Sequence, residues 1–500
     1  DGIAPVRREL VKRAVNDCGP GALDDLEAQV HRDLMLTQHP NTAWMPTRTG
    51  PDGNPMLDVL IAGAGQGGLV LAHQLQRNSV DNILVVDRAA YGSEGVWTTY
   101  ARMHTLRSPK DYTGPDLGLP SLTYIAWHQA KYGKDHWDAL ALIDKDDWND
   151  YLLWYRRILK LPVQNETALT GIEPATDAPN GGLRLTLETP SGPRIVYARK
   201  LVLATGQDGT GQWWMPDFIR RLPPNLRAHA ADEIDFAALK GKTVAVLGAG
   251  ASAADNAACA LEAGAATVTM YVRREKMQRI QPYRWLTFAG FLNHVRDLPD
   301  EWRWRFMSYI QGLRESIPQG TYDRMRAHPN FSIRMGCPWL DAKAMDDRVL
   351  ITTPGGEVAA DFIICGTGID VDFSARPELA PFASKIATWS DRYTPPAEEA
   401  DGRLGRFAYL DANGAFVEKS AGDAPWLADI HDFTIGATIS LGPSGCSING
   451  MKAAVPMLAA GITRGLFRAD AAHHWQSLLD YDTPVFEPAS DDPLVTDGGI

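Results

Sequence analysis

A chain of 500 residues, 45% of them hydrophobic, is long enough for two or more domains that share a large core. A net charge of −12 with no basic block argues against nucleic acid or an anionic membrane surface as main partner. The cysteines (Cys18, Cys259, Cys337, Cys365 and Cys446) form no C-x-x-C pair, which argues against a disulfide framework or a dithiol redox centre and suits a reducing cytoplasm.

Residues 1–56 read as a helical extension and linker. Leu23, Leu26, Val30 and Leu34 recur at helical spacing until Pro40, and a stretch rich in Pro, Gly, Thr and Asn follows over 41–55. The helix is expected to dock on the main body, with a dimer interface or a cofactor cover as alternatives. No apolar run is long enough to span a bilayer and no basic-then-apolar signal pattern opens the chain, so a cytoplasmic protein is expected.

Residues 56–88, MLDVLIAGAGQGGLVLAHQLQRNSVDNILVVDR, spell a complete β-α-β unit. An apolar strand runs into Gly63-x-Gly65-x-Gly67-Gly68, an apolar helix follows, and a second strand ends at Asp87. The glycines permit a tight turn and the approach of a pyrophosphate to the helix N-terminus. An acid about 20 residues further on can accept hydrogen bonds from a ribose. Lys200-Leu-Val-Leu-Ala-Thr-Gly206 is a buried strand that ends in a small-residue turn.

The same grammar repeats from Val244. A strand leads into Gly248-x-Gly250-x-Ser252-Ala253, a helix runs to about Glu262, and Thr267–Val272 is a second strand. Here the acid is replaced by Arg273 and Arg274. Arginine binds a 2′-phosphate that an acid would repel, so this unit is expected to take NADPH; a solvated basic strand end is the alternative. Residues 276–330 interrupt the second unit with a helical, aromatic-rich insertion containing Trp285, Phe288, Phe291, Trp302, Trp304 and Phe306. It is either a lid or pocket wall, or packing against the first domain. Asp361-Phe-Ile-Ile-Cys-Gly366-Thr-Gly368-Ile-Asp370 is another buried strand with a glycine turn.

Near the end, a glycine-rich loop feeds a helix that starts at Ser447, Ile448 and Asn449. Its dipole would favour the negative charge of a reduced flavin pyrimidine; a plain capped core helix is the alternative. Met451–Phe467 reads as a buried helix, and after Leu466 the chain reads as acidic and loop-like.

The ordered set of Gly63/Gly65/Gly68 with Asp87, Gly95-Val-Trp97, Ala204-Thr-Gly206, Gly248/Gly250/Ala253 with Arg273, and Gly366-Thr-Gly368-Ile-Asp370 resembles the class B flavin monooxygenases. These are two-dinucleotide-domain flavoproteins that include flavin-containing monooxygenases, Baeyer–Villiger monooxygenases and ornithine or lysine N-hydroxylases. The resemblance implies an α/β fold with two Rossmann-like domains, the second inserted in the first. FAD would be held by 57–225 and 367–500, and NADPH by 226–366. It also implies that NADPH reduces FAD, that O2 adds at the flavin C4a position as a peroxyflavin, and that a small organic substrate takes one oxygen atom.

Departures from the family narrow the reaction. The Baeyer–Villiger run F-x-G-x-x-x-H-x-x-x-W corresponds to 222–236, which keeps His229 but lacks Phe-x-Gly and has Glu233 in the tryptophan position. Hydroxylation is therefore favoured over Baeyer–Villiger oxidation. Tyr100–Lys110 resembles a segment that lines the flavin in relatives, which makes His104, Arg107 and Lys110 candidates for the reactive face, Arg107 first as catalytic residue. A flavin reductase without oxygenation and a redox-sensing flavoprotein are the alternatives. A homodimer is the default association, and no metal site is expected.

Overall fold

Each apolar run that precedes a glycine turn becomes a buried parallel strand, and the helix after it packs back over the sheet. The structure, a computed structural model, describes residues 22–178 and 181–486. Cys18, the start of the N-terminal extension and the end of the acidic tail lie outside the described residues. Helix α1 (Leu23–Leu36) buries Leu26, Val30 and Leu34 in the core of the first module, as its spacing predicts. It docks on the body.

The first sheet contains β1 (Leu57–Ala62) and, after α2 (Gln66–Arg77), β2 (Ile83–Val86). Helix α3 (Lys145–Ile158) leads to β3 (Val163–Gln164), then the meander β4 (Ala168–Pro174), β5 (Leu183–Thr189) and β6 (Gly192–Leu203). The order is β3-β2-β1-β6-β5-β4. β6 is long enough to serve two partners. Its first half pairs antiparallel with β5, and its second half pairs parallel with β1 from Leu57↔Ala198 to Ala62↔Leu203.

After β7 (Gly211–Trp213) the chain enters the second sheet through β8 (Arg227–His229), β9 (Thr243–Leu247), α4 (Ala251–Glu262) and β10 (Thr267–Tyr271). The insertion holds α5 (Pro282–Trp285), α6 (Ala289–His294), α7 (Asp300–Leu313) and α8 (Gln319–Arg326). β11 (Phe331–Arg334) precedes an antiparallel meander of β12 (Asp341–Met345), β13 (Arg348–Thr353) and β14 (Gly356–Ala360), and β15 (Phe362–Cys365) completes the second sheet. Its order is β11-β10-β9-β15-β8, and every pair in it is parallel.

The chain returns through β16 (Ile369–Val371), which pairs antiparallel with β7, so the two crossings between modules are hydrogen-bonded to each other. β17 (Ile430–Asp432) then joins the first sheet beside the C-terminal end of β6. The second sheet is thus inserted within the first.

Helix α9 (Ile448–Ala469) packs on α2 and is followed by α10 (Ala471–Leu479). The expectation of a loop after Leu466 is corrected here. Helix α10 buries none of its own residues and is held at its start by the His474 ring stacked on Phe467, 4.6 Å between centroids. Of the insertion's aromatics, Phe291 and Trp304 are buried in a core shared with Leu60 and Leu201 of the first sheet, which is the packing alternative. Trp285, Phe288 and Trp302 remain exposed.

Candidate active site

The glycines of each turn do different jobs. Gly63 has φ +110, and a Cβ there would lie 2.3 Å from the Ala204 carbonyl oxygen; a Cβ on Gly68 would lie 1.9 Å from the Gly63 carbonyl. Both are required by the close approach of backbone. Gly65 instead faces only the Gly95 Cα at 3.6 Å, and it begins α2 with no side chain capping the first turn. Unsatisfied N–H groups at a helix N-terminus make an anion cradle. Asp87 braces the turn: its carboxylate accepts from the Ala64 N–H at 2.7 Å and the Ala89 N–H at 2.8 Å, and lone pairs remain for a ribose hydroxyl.

The second cradle matches. Gly248 has φ +131 and its Cβ would meet the Gly366 carbonyl at 2.4 Å, whereas Gly250 begins α4 uncapped with nothing within 4 Å. Ala253 stands where the third glycine would be. It is accommodated because Gly366 lies opposite, where a Cβ would approach the Ala253 Cβ to 2.4 Å. The two arginines part company. Arg274 donates to the carbonyls of Gly312 (2.6 Å) and Leu313 (3.0 Å) at the end of α7. Arg273 is exposed and has no ion pair among the described residues.

The start of α9 meets the insertion. Ser447 caps α9 by accepting from the Gly450 N–H at 3.1 Å, and the Asn449 side chain donates to the Thr287 carbonyl at 3.3 Å, so the insertion reaches over this helix end. Ile448 is buried, with its carbonyl against Gly114. Cys446 is open to solvent, yet surrounding protein mass pushes its thiol up to about 12. Trp97 is buried against Trp148, whose indole N–H donates to Gln66, which in turn donates to the Gly445 carbonyl. Asp432, at the C-terminal end of β17, is fully buried. Its Oδ1 accepts from the Thr434 N–H (2.8 Å) and hydroxyl (2.7 Å), while Oδ2 has no partner, and burial raises its carboxyl to about 6.

The family described as pyridine nucleotide-disulphide oxidoreductase matches residues 60–292. Over 466 residues the chain is 41% identical to the FAD-dependent urate hydroxylase of Xanthomonas campestris pv. campestris, covering 93% of this chain and 97% of that one. The chain belongs to the flavin-dependent monooxygenases. Two solved monooxygenases share the fold. The reduced ornithine hydroxylase of Pseudomonas aeruginosa gives a TM-score of 0.61 at 16% identity, over 83% of this chain and 99% of that chain. The L-lysine 6-monooxygenase of Pseudomonas syringae gives 0.59 at 18%, over 83% and 99%.

In this monooxygenase Arg107 ties the modules together. Its guanidinium meets Asp255 of α4 at 2.9 Å and Glu315, just beyond α7, at 2.6 Å. Asp255 is buried and also accepts from the Thr321 hydroxyl at 2.7 Å. Burial opposes the charge of Arg107, but the two carboxylates outweigh it and hold the guanidinium more firmly protonated than usual. Lys110 donates to the carbonyls of Trp137 and Leu140, both at 2.6 Å, and so anchors a helix end. His104 is exposed. His229 is buried against the Trp213 ring, and burial lowers its pKa. Gly206 and Gly368 take positive φ, +89 and +82, at the two strand exits, and Asp370 pairs with Arg406. Asp432, Asp255 and Glu315 were not legible as site residues. No spacing rule points to them.

Proposed function

We propose that this chain is an NADPH-dependent FAD monooxygenase that hydroxylates urate or a closely related oxopurine. The carrying observation is 41% identity, over nearly the full length of both chains, to a protein named FAD-dependent urate hydroxylase. Two uncapped glycine cradles of complementary type support it, one braced by an acid and the other by a free arginine. The overall reaction is urate, O2, NADPH and a proton giving hydroxylated urate, NADP⁺ and water.

Residues 57–225 and 367–500 form the FAD module, and 226–366 the NADPH module. The helix N-termini at Gly65 and Gly250 receive the pyrophosphates, with Gly63, Gly67, Gly68, Gly248, Ser252, Ala253 and Gly366 shaping those turns. Asp87 accepts from the adenosine ribose of FAD, and Arg273 takes the 2′-phosphate of NADPH. Asp432 offers its unpartnered oxygen to a ribityl hydroxyl. Ser447, Ile448 and Asn449 direct a helix N-terminus at the flavin pyrimidine. Trp97, Gly206, Gly368 and Asp370 line the approach between the modules, and Arg107 positions them. FAD, when bound, supplies transfer of reducing equivalents from NADPH to O2. The insertion, lying over Asn449, limits water access there. Among the described residues no helix is long and apolar enough to cross a membrane, and a reducing cytoplasm suits the unpaired described cysteines. A homodimer is the expected association.

The test combines NADPH oxidation, O2 uptake and product analysis with isotopically labelled O2. Expected are equal consumption of NADPH, O2 and urate, and one labelled oxygen in the product. NADPH-driven flavin reduction without label in any urate product would sink the reading in favour of a reductase.

A further inference from the structure

Beyond the cofactor cradles, the structure holds a cationic cluster that none of the roles above uses. Arg314 ends α7 with a left-handed backbone, φ +64 and ψ 172, which a non-glycine residue adopts only when its surroundings impose it. What imposes it is visible. Arg274 holds the two preceding carbonyls, and the Gln278 amide donates to the Arg314 carbonyl at 3.5 Å. This turn throws the Arg314 guanidinium over Gly368, where its Nη1 lies 3.6 Å from the position a Cβ would take. A side chain at Gly368 would fill that space.

Among the described residues no carboxylate comes within ion-pair distance of Arg314. Burial and then the charge of Arg403 lower it to about 10, with Arg273 adding to the repulsion and Tyr283 and Asp401 opposing it. Among the described residues Arg403 has only Asp401 at ion-pair distance, 3.6 Å, and burial lowers it too; Arg406 beside it is taken by Asp370. Tyr283 is enclosed in the same place, and burial pushes its hydroxyl up to about 12. Gln311 lies beside that hydroxyl and is buried. Two neighbouring arginines with Asp401 as the one carboxylate at ion-pair distance among the described residues repel each other, and an arriving anion relieves that repulsion. The place is also informative. Four residues beyond Tyr283, Thr287 meets Asn449 at the start of α9, so the cluster lies between the glycine turn at Gly368 and the start of α9.

We propose that Arg314 and Arg403, with Tyr283 and Gln311, form the anion-recognising end of the substrate pocket, selecting a planar heterocyclic anion over its neutral counterparts. The proposal rests on the urate reading, because urate is an oxopurine carried as a monoanion near neutral pH. A guanidinium fork matches the paired oxygen and nitrogen edge of such a ring. The other source of negative charge at this place is the phosphates of NADPH, and the experiment separates the two.

Urate is titrated into the FAD-loaded wild-type enzyme and into R314M, R314K, R403M and R273M, following flavin absorbance. NADPH affinity is measured in parallel from anaerobic flavin reduction. Expected is a roughly 10- to 100-fold loss of urate affinity in R314M and R403M, partly restored in R314K, with NADPH affinity moving less than threefold. R273M gives the reverse pattern. If R314M weakens NADPH as R273M does and leaves urate unchanged, the cluster is a phosphate site and the proposal falls. If urate fails to bind the wild type, the urate reading falls, and the anion site is judged with planar aromatic carboxylates as inhibitors. Loss of their inhibition in R314M then sustains it, and unaltered inhibition overturns it.

Discussion

Replacing Arg273 by serine, and separately Arg274 by serine, divides two neighbours that look equivalent in sequence. Hydrogen bonds between a guanidinium and a phosphate contribute about 1.5–3 kcal/mol when shielded. Arg273 is exposed, so solvent and salt screen it and about 1–2 kcal/mol remains. That is a roughly 5- to 30-fold rise in the NADPH concentration needed for half-maximal flavin reduction, with NADH nearly unchanged. Arg274→Ser instead strips two carbonyls at the end of α7 of their donors at 2.6 and 3.0 Å. At about 1 kcal/mol each, it loosens the turn that carries Arg314 and leaves the ratio of NADPH to NADH alone. Anaerobic stopped-flow reduction with both nucleotides reads this directly. If R274S shifts the nucleotide ratio as much as R273S, or if R273S leaves it untouched, the assignment of the phosphate to Arg273 is wrong.

Three further outcomes are expected. Gly366→Ala forces a Cβ to 2.4 Å from the Ala253 Cβ and 2.7 Å from its Cα; denaturation should report a loss of about 2–3 kcal/mol, and adding Ala253→Gly recovers only part because the backbone at position 253 still crowds the new methyl group. Asp432 binds its proton more tightly folded, at about 6, than unfolded, at 3.8. Stability is therefore lost as pH rises through that window and stays lost above it, by up to about 3 kcal/mol. FAD-free Asp432→Asn should gain on wild type between pH 4 and 6, and a gap that stays flat with pH refutes this. Asp255→Ala leaves Arg107 with Glu315 alone and should destabilise the enzyme by about 3 kcal/mol, with faster hydrogen exchange in α8, whose Thr321 it also holds; unchanged exchange there speaks against the tie.

Both β-α-β units were readable because a buried parallel strand, a glycine turn and an apolar helix each leave a local signature. Asp87 was readable for the same reason, since its distance from the turn is set by one helix and one strand. The split between Arg273 and Arg274 was not. It depends on where α7 ends, nearly forty residues later. Asp432 sits on a three-residue strand, too short to show a periodicity, whose ladder partner β6 lies far back in the chain. Arg314 owes its place to a left-handed turn at an ordinary residue, which sequence does not advertise. The last helix did have an amphipathic spacing, with Trp475, Leu478 and Leu479 three and four residues apart, but it is only nine residues long and follows directly on α9.

The pairing of β7 with β16 has a mechanical meaning. Ile369 faces Trp213, Asp370 faces Gln212, and Val371 faces Gly211; the Trp214 N–H adds a bond to the Gly368 carbonyl at 2.9 Å. Two strands zipped together bend as one ribbon but resist sliding past each other. The two crossings between the modules therefore act as one paired connection, added to the Arg107 tie and to the core that the insertion shares with the first sheet. Exchange of residues 227–365 between relatives must therefore match the ribbon, the Arg107 partners Asp255 and Glu315, and the core packing of Phe291 and Trp304.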